Sequence, residues 1–290
     1  MYLTSFTFPS EEEETDFLWA NGPRGSFYPF KVLSAHSLKR IDFEPITILY
    51  GGNGSGKSTA LNIIAEKLKI SRDSIYNKSS YYPAYVDMCE SHILEEIPEN
   101  SKIITSDDVF DYMLDIRNLN DGIDEKREDI CKEYLDVKYS DFQMKSIADY
   151  DMLKKVNKAR RMTQSKYVKS ELIDSVRECS NGETAFKYFI EKIVENGLYI
   201  LDEPENSLSP KRQLELKRYI EDSVRFFGCQ FIISTHSPFL LSIQASKAMT
   251  RTKIYDLDKN PVSIKKWTEL ENVLIYREFF KANDSEFMNI

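Results

Sequence analysis

The chain has 290 residues, of which 41% are hydrophobic and 12% aromatic, so it is sized for one large domain or one domain with an inserted lobe. Its net charge of −8 and its sequence pI of about 5.2 exclude binding of nucleic acid or anionic membranes through overall charge, so such binding would need a local basic patch. The four cysteines are far apart and no apolar run approaches the roughly 20 residues of a membrane span, so we expect a cytoplasmic protein with reduced thiols and no membrane contact.

The first predicted elements lead to a glycine-rich loop. Extended, alternating segments are expected over roughly the first fifty residues. The last of these segments, 46–50, is an apolar run that indicates a buried strand. After the glycines, residues 58–68 carry apolar side chains at helical spacing. This order of strand, loop and helix is the one that a phosphate-binding loop requires.

The loop itself fits the pattern G-x-x-x-x-G-K-S. We expect phosphate contacts from Gly51, Gly52, Asn53, Gly54, Ser55, Gly56, Lys57, Ser58 and Thr59. Glycines let successive N–H groups and a helix N-terminus approach phosphate oxygens. Lys57 would reach the β- and γ-phosphates, and the Ser58 hydroxyl would bind Mg²⁺. The alternative is a glycine-rich turn without a ligand; the loop alone does not separate ATPases from GTPases or kinases.

The remaining elements predict an α/β fold. Residues 70–178 are polar, charged and mostly helical in pattern, which indicates an inserted lobe. Strands at 198–201 and 230–234 flank a helix at 210–226, and a short strand near 253–257 and a helix at 268–280 follow. Strands that alternate with helices favour a mainly parallel sheet. We therefore expect a single domain made of an N-terminal β region (1–69), the lobe (70–178), a central region (179–250) and a C-terminal strand and helix (251–290).

Three polar side chains follow the predicted central strands. Asp202 comes at the end of one strand, where it can hold Mg²⁺, and Glu203 beside it is a candidate base for an attacking water. His236 ends the next strand and is a candidate to touch a γ-phosphate and orient the water. The alternatives are a solvated strand end for the acids and a structural role for the histidine.

A second polar motif, Ser180-Asn181-Gly182-Glu183, opens a predicted helix. Ser180 and Glu183 fit an N-cap and its capping-box partner, which is a purely structural explanation. Gly182 in the first turn needs another reason, because glycine weakens a helix. A bare helix N-terminus with a serine hydroxyl is also a site for an anion such as a γ-phosphate.

Taken in order, these motifs resemble the ATP-binding cassette (ABC) superfamily of ATPases. The resemblance covers residues 46–240 and is closest to the non-transporter branch of chromosome-maintenance, repair and phage-defence ATPases, above all small stand-alone bacterial ones. Asp-Glu-Pro-Glu-x-x-Leu-x-Pro, typical of that group, corresponds to residues 202–210. Asn181 departs from the glycine usual in the family signature.

The resemblance implies a P-loop fold with an antiparallel N-terminal β subdomain and an ATPase that uses Mg²⁺. It implies that Lys57 and Ser58 bind phosphate and metal, that Asp202 supports the metal, that Glu203 is the general base, and that His236 is the switch histidine. Ser180, Gly182 and Glu183 would act on the ATP of a second subunit, so two copies would close around two nucleotides. Residues 205–209 would cross that interface.

Two further family positions are only weakly marked in this sequence. Asp107 is a candidate for the glutamine-loop position, against the alternative of an acidic helix cap. Tyr28 and Phe30 are candidates for stacking on adenine, against the alternative of ordinary strand residues.

Several other functions are weighed against this one. A transporter subunit is a less favoured alternative, because the Leu-Ser-Gly-Gly-Gln that it would carry is absent. A GTPase would carry Asn-Lys-x-Asp and a fused nuclease would need more chain after His236, and neither of these fits. A weakly catalytic, ATP-dependent sensor or scaffold for a partner effector stays open, and a separate effector protein is expected in either case. The one dense basic stretch contains Lys154, Lys155, Lys158, Arg160 and Arg161. It would contact nucleic acid or an acidic partner, and the alternative is a solvated helix face.

Overall fold

A computed structural model describes residues 1–22, 26–140, 142, 150–171, 181–244 and 252–287. The chain divides into two compact units, of which the first combines Met1–Phe110 with Asn181–Ile290 and the second is Asp111–Ser180. Residues 70–110, which the sequence assigns to the lobe, thus belong to the first unit. None of the helices within the described ranges is long and apolar enough to cross a membrane.

The described residues contain nine strands. They are β1 (Leu3–Thr7), β2 (Arg40–Asp42), β3 (Ile46–Tyr50), β4 (Glu90–Ile93), β5 (Lys102–Thr105), β6 (Leu198–Asp202), β7 (Gln230–Ser234), β8 (Thr252–Asp256) and β9 (Ser263–Ile264). The helices among the described residues are α1 (Glu11–Asn21), α2 (Lys57–Lys67), α3 (Tyr82–Met88), α4 (Ser106–Lys138), α5 (Tyr150–Arg161), α6 (Gln164–Glu171), α7 (Asn181–Lys192), α8 (Pro210–Phe226), α9 (Pro238–Leu241), α10 (Glu271–Ala282) and α11 (Asp284–Phe287).

A six-stranded sheet is the centre of the first unit. Its order is β5-β6-β7-β3-β8-β9, and all neighbours are parallel except β8 and β9. All five residues of β3 and all five of β7 are buried, as expected for central strands covered on both faces. The predicted α/β class with a mainly parallel sheet is confirmed, and β3, β7 and α8 begin and end where the sequence predicts.

The parallel register determines where the functional residues lie. Ser234, at the end of β7, is opposite Leu49 of β3 on one side and Asp202 of β6 on the other. The carboxyl ends of the three strands therefore meet at one edge of the sheet, which is where α/β proteins bind ligands. The loops that follow these strands begin with Gly51, Glu203 and Thr235.

A second, three-stranded antiparallel sheet has the order β2-β1-β4 and confirms the predicted antiparallel N-terminal subdomain. The buried side chain of Gln230, on β7, connects it to the parallel sheet. Its Oε1 accepts hydrogen bonds from the N–H groups of Tyr2 (2.9 Å) and Leu3 (3.0 Å), and its Nε2 donates to the Leu3 carbonyl (2.7 Å). One amide thus pairs backbone groups that would otherwise be buried without partners.

Helix α1 lies within the region that the sequence describes as extended, so that part of the expectation is wrong. Ser10 and Glu13 form a capping box, and the acidic first turn suits the positive end of the helix dipole. Glu14 is buried and accepts hydrogen bonds from Lys31 N–H (2.7 Å) and Ser34 Oγ (2.8 Å), and burial raises its pKa. The helix is held by these tertiary contacts, which the local pattern does not show.

We predict that Gln230→Leu lowers the free energy of unfolding by about 2 kcal/mol or more, because backbone groups of Tyr2 and Leu3 lose their partner in the interior. Urea denaturation measures the change. Gln244→Leu, at an exposed position on the same unit, is the matched control and should differ little from the wild type. Equal stability of the two variants would contradict the role of Gln230.

Candidate functional site

The glycine-rich loop connects β3 to α2 and bends through backbone conformations that favour glycine. Gly54 and Gly56 have φ values of +84° and +88°, in the left-handed region. Gly56 is the N-cap of α2, and no side chain among the described residues caps that end of the helix. The first N–H groups of α2 are therefore available to an anion.

A cavity of about 370 Å³ lies against this loop. Its lining comprises Val32, Asn53, Gly54, Ser55, Gly56, Lys57, Ser58, Thr59 and Glu203. Seven of these nine residues belong to the predicted phosphate-binding set, while Gly51 and Gly52 do not line the cavity. The Gly52 N–H instead donates to both carboxylate oxygens of Asp258 at 2.9 Å, so this acid supports the start of the loop from the turn after β8.

The Lys57 side chain is 4% exposed and lies between the loop and Glu203. Its Nζ donates to the carbonyls of Gly51 (2.8 Å) and Gly52 (2.9 Å) and is 3.5 Å from Glu203 Oε1. The buried positive charge is thus offset by two carbonyl dipoles and a carboxylate, as a charge removed from water requires. The ammonium group is held at the cavity.

Asp202, at the end of β6, is joined to both neighbouring elements. Its Oδ1 accepts a hydrogen bond from Ser58 Oγ at 3.1 Å and another from the Ser234 hydroxyl. Burial raises the pKa of Asp202, because the loss of water outweighs the two hydroxyl donors; nearby Glu203 also raises it. The carboxylate and the Ser58 hydroxyl form a pair of adjacent oxygen ligands.

Glu203 has a backbone conformation that is unusual for its residue type. Its φ of +47° lies in the left-handed region, where a side chain costs about 1–2 kcal/mol. The conformation is stabilised by its N–H, which donates to the carbonyl (3.1 Å) and to Oγ (3.0 Å) of Ser234. Its Oε2 accepts from Asn206 Nδ2 at 3.1 Å. Such local strain is typical of functional sites.

His236 lies next to Glu203, after the end of β7. Its Nδ1 is 3.8 Å from Glu203 Oε1 and 3.7 Å from Glu205 Oε1, and its side chain is 48% exposed. Its backbone N–H donates to Glu205 Oε1 at 2.9 Å, and its carbonyl accepts from Asn272 Nδ2 at the start of α10. The structure thus brings Lys57, Ser58, Asp202, Glu203 and His236 to one edge of the sheet.

The residues of the second motif lie elsewhere. Ser180 falls outside the described residues, and Gly182 is in the first turn of α7. The Glu183 carboxylate accepts a hydrogen bond from Arg212 Nη2 at 2.9 Å and does not line the cavity. Arg212, at the start of α8, also contacts Glu215. Glu183 is therefore held against α8.

Phe30 is not available to stack on a base. It is 4% exposed, stacks on Phe17 at 5.0 Å and forms a T-shaped pair with Tyr85 at 4.9 Å, so its ring is part of the core. The other candidate, Tyr28, is half-buried, and its hydroxyl donates to Thr59 Oγ1 at 3.2 Å. Val32, which belongs to no motif, lines the cavity.

Asp107 is exposed in the first turn of α4. The buried acid there is Asp108, whose carboxylate accepts hydrogen bonds from the N–H (2.7 Å) and hydroxyl (2.8 Å) of Thr105. This is the geometry of a helix cap. The capping contacts thus belong to Asp108 rather than to Asp107, and the glutamine-loop role of Asp107 stays a prediction.

The basic stretch belongs to the second unit, where part of its charge is used internally. Lys155 forms an ion pair with Glu133 at 2.7 Å. Arg160 donates to the carbonyls of Lys138 (3.4 Å), the last residue of α4, and of Ser140 (2.8 Å), just after it. Lys158 lies 5.6 Å from the ring centre of Tyr167. These contacts are internal to the unit and account for three of the five basic residues.

Sequence reasoning missed several residues that support the site. Ser234 and Asp258 bind the backbone or side chains of motif residues, and Asn272 binds the His236 carbonyl. Each of them is distant in sequence from the residue that it contacts. Ser234 opens the Ser-Thr-His-Ser segment, which gave no sign of these contacts, and Asn272 and Asp258 belong to no recognised pattern. Glu205 stands in the Asp-Glu-Pro-Glu segment, which marks it as part of a motif. The segment does not indicate its contact with His236.

Comparison with known proteins gives two family matches. The family model described as ABC transporter matches residues 40–206, and the one described as AAA ATPase domain matches residues 181–241. A search of curated protein sequences finds no match to this chain.

Solved structures with similarity to the chain include two of the ATP-binding cassette MJ0796. Its dimeric structure, described as a bacterial ABC transporter cassette, is 13% identical over 80% of this chain and 91% of that chain, with a TM-score of 0.38. Its dimeric post-hydrolysis state with ADP and Pi has the same identity and coverage and a TM-score of 0.36. The Smc head domain from Pyrococcus furiosus, bound to the C-terminal domain of ScpA, is 14% identical over 83% and 94% of the two chains, with a TM-score of 0.37.

We predict that alanine at Gly56 destabilises the protein more than alanine at Gly54. Both substitutions place a side chain at positive φ, at a cost of about 1–2 kcal/mol. At Gly56 the new Cβ would also lie 2.8 Å from Cδ2 of Leu33, a fully buried side chain, whereas at Gly54 it would meet no atom within 4 Å. Urea unfolding without nucleotide measures both losses; an equal or larger loss at Gly54 would contradict the geometry of the loop.

Proposed function

The chain belongs to the ATP-binding cassette (ABC) family, whose model matches residues 40–206, and on that premise we propose that it binds ATP with Mg²⁺ and hydrolyses it. The observation that carries the proposal is the position of Lys57 and Glu203 at one cavity, with their charged groups 3.5 Å apart. A cation at a helix N-terminus suits a phosphate, and a carboxylate facing it suits the water that attacks the phosphate.

The donor set near the loop fits a magnesium ion. Ser58 Oγ and Asp202 Oδ1 are hard oxygen ligands 3.1 Å apart, and magnesium sites beside phosphates use few protein ligands of this type. Burial raises the pKa of Asp202, and a bound cation would favour its charged form. When bound, the ion would neutralise charge on the phosphate oxygens.

The proposed reaction joins a water oxygen to the γ-phosphorus and breaks the bond to the bridging oxygen, giving ADP and inorganic phosphate. Lys57 and the N–H groups of the loop hold the phosphates in position. Glu203 accepts the proton of the attacking water, and the His236 ring touches the γ-phosphate and orients the water. The strained backbone of Glu203 fixes the direction of its carboxylate toward the cavity.

We also propose that two copies of the chain close around two ATP molecules. Gly182 and Glu183 lie at the N-terminus of α7, a helix end suited to an anion, and neither lines the cavity of its own chain. Ser180, Gly182 and Glu183 would contact the γ-phosphate bound by the second copy. ATP would then hold the dimer together and hydrolysis would release it.

We propose that the change between dimer and monomer controls a separate effector protein, in a DNA-related process or in defence against phage. The proposed role rests on the family resemblance of residues 202–210 and on the signature, which departs from that of transporters. The basic stretch would meet nucleic acid through Lys154, Lys155, Lys158, Arg160 and Arg161. A cytoplasmic location fits this role.

We predict that Glu203→Gln lowers kcat for ATP hydrolysis by about 100-fold or more and leaves ATP binding intact, because the amide keeps the shape of the side chain but cannot accept the proton. Phosphate release and nucleotide titration measure the two effects. The control is Glu221→Gln on α8, whose carboxylate contacts Gln244 N–H at 2.9 Å. A wild-type chain that binds ATP but releases no phosphate would support the sensor or scaffold function instead.

We predict that the same Glu203→Gln variant forms a stable dimer with ATP and Mg²⁺, since ATP that is not hydrolysed keeps the interface closed. Light scattering after size-exclusion chromatography gives the mass with and without nucleotide. Lys57→Ala should stay monomeric under both conditions, because it lacks the charge that holds the phosphates. A Glu203→Gln chain that stays monomeric at saturating ATP would refute the proposed dimer.

A further inference from the structure

We infer that Glu205 is a positioning residue that fixes His236 through its backbone, an inference that rests on the hydrolytic function proposed above. Glu205 is 7% exposed and follows the candidate base by two residues, in the short 3-10 turn Pro204–Ser207. A carboxylate so deeply buried needs partners that offset its loss of water. Those partners all belong to the loop that carries His236.

Three donors meet at a single oxygen of Glu205. Its Oε1 accepts hydrogen bonds from Thr235 Oγ1 (2.6 Å), His236 N–H (2.9 Å) and Ser237 N–H (3.2 Å). Hydrogen bonds to an ionised acceptor are roughly twice as strong as neutral ones. The other oxygen, Oε2, is buried and has no partner among the described residues. The side chain is therefore directed at this loop and at nothing else.

The His236 side chain is 48% exposed, so water borders about half of its surface. The position of its ring therefore depends on its backbone, and that backbone is held on both sides. Glu205 accepts from the N–H of His236, while Asn272 of α10 donates to its carbonyl. Removal of the Glu205 carboxylate frees one of these two sides.

The same turn also holds the candidate base. Asn206 Nδ2 donates to Glu203 Oε2 at 3.1 Å. Of two adjacent residues of the turn, Asn206 thus contacts the candidate base and Glu205 contacts the loop that carries His236. Gln213 of α8 connects the two sides, because its Nε2 donates to the Leu208 carbonyl (2.8 Å) and its Oε1 accepts from Ser237 Oγ (2.6 Å). The turn thus sets the 3.8 Å separation between the His236 ring and the Glu203 carboxylate.

A double-mutant cycle tests this inference. We expect Glu205→Ala to lower kcat at least about tenfold with little change in KM, since three hydrogen bonds to a charged group are lost. In the His236→Ala background the same change should have almost no further effect, because a residue that acts through His236 has nothing left to position. Losses that multiply in the double variant would overturn the inference. Glu221→Gln serves again as the control.

Hydrogen exchange gives a readout that does not depend on hydrolysis. The amides of His236 and Ser237 should exchange at least about tenfold faster in Glu205→Ala, and to an intermediate degree in Glu205→Gln, which keeps one acceptor oxygen. Unchanged exchange would overturn the inference even if the chain is an active ATPase. Faster exchange in a chain that hydrolyses no ATP would refute the proposed function and leave the link between Glu205 and the loop standing. If Glu205→Ala does not fold, Glu205→Gln carries both measurements.

Discussion

The pairing of β7 with β3 on one side and β6 on the other is the constraint on which the site depends. Ser234 is in register with both Leu49 and Asp202, so the glycine-rich loop, the acidic pair and the histidine loop begin at the same level of the sheet. A slip of one residue in either pairing would turn the side chains to the opposite face.

Burial at this edge makes the charges interdependent. Lys57 and Glu205 are nearly inaccessible to water. The charge of each side chain is offset by dipoles or by an opposite charge within a few residues of the strand ends. Asp202 lies beside them, and burial raises its pKa, whereas the hydroxyls of Ser234 and Ser58 and the charge of Lys57 lower it. Its carboxylate thus lies between neutral donors and a cation at the point where the proposed magnesium ion would bind.

The sequence predicted those parts of the fold that depend on local pattern. The strands β3 and β7 and the helix α8 could be predicted to the residue, since apolar runs and a proline define them. Helix α1 could not be predicted in this way, because its burial depends on contacts of Glu14 with a loop distant in sequence. Phe30 was a candidate for stacking on adenine because the aromatic rings that cover it are remote in sequence. The motif residues were recognisable, whereas Ser234, Asn272 and Asp258 act through contacts that only the folded chain creates.

The bond between the Gly52 amide and the Asp258 carboxylate joins residues 206 positions apart, and β3 pairs only with strands that come late in the chain. Contacts of such long sequence separation form slowly, and during synthesis they must wait for the distal residues to emerge from the ribosome. The phosphate loop is thus among the first motifs to be translated and among the last to be completed. The proposed nucleotide would therefore meet a completed loop only after these distal residues have been translated.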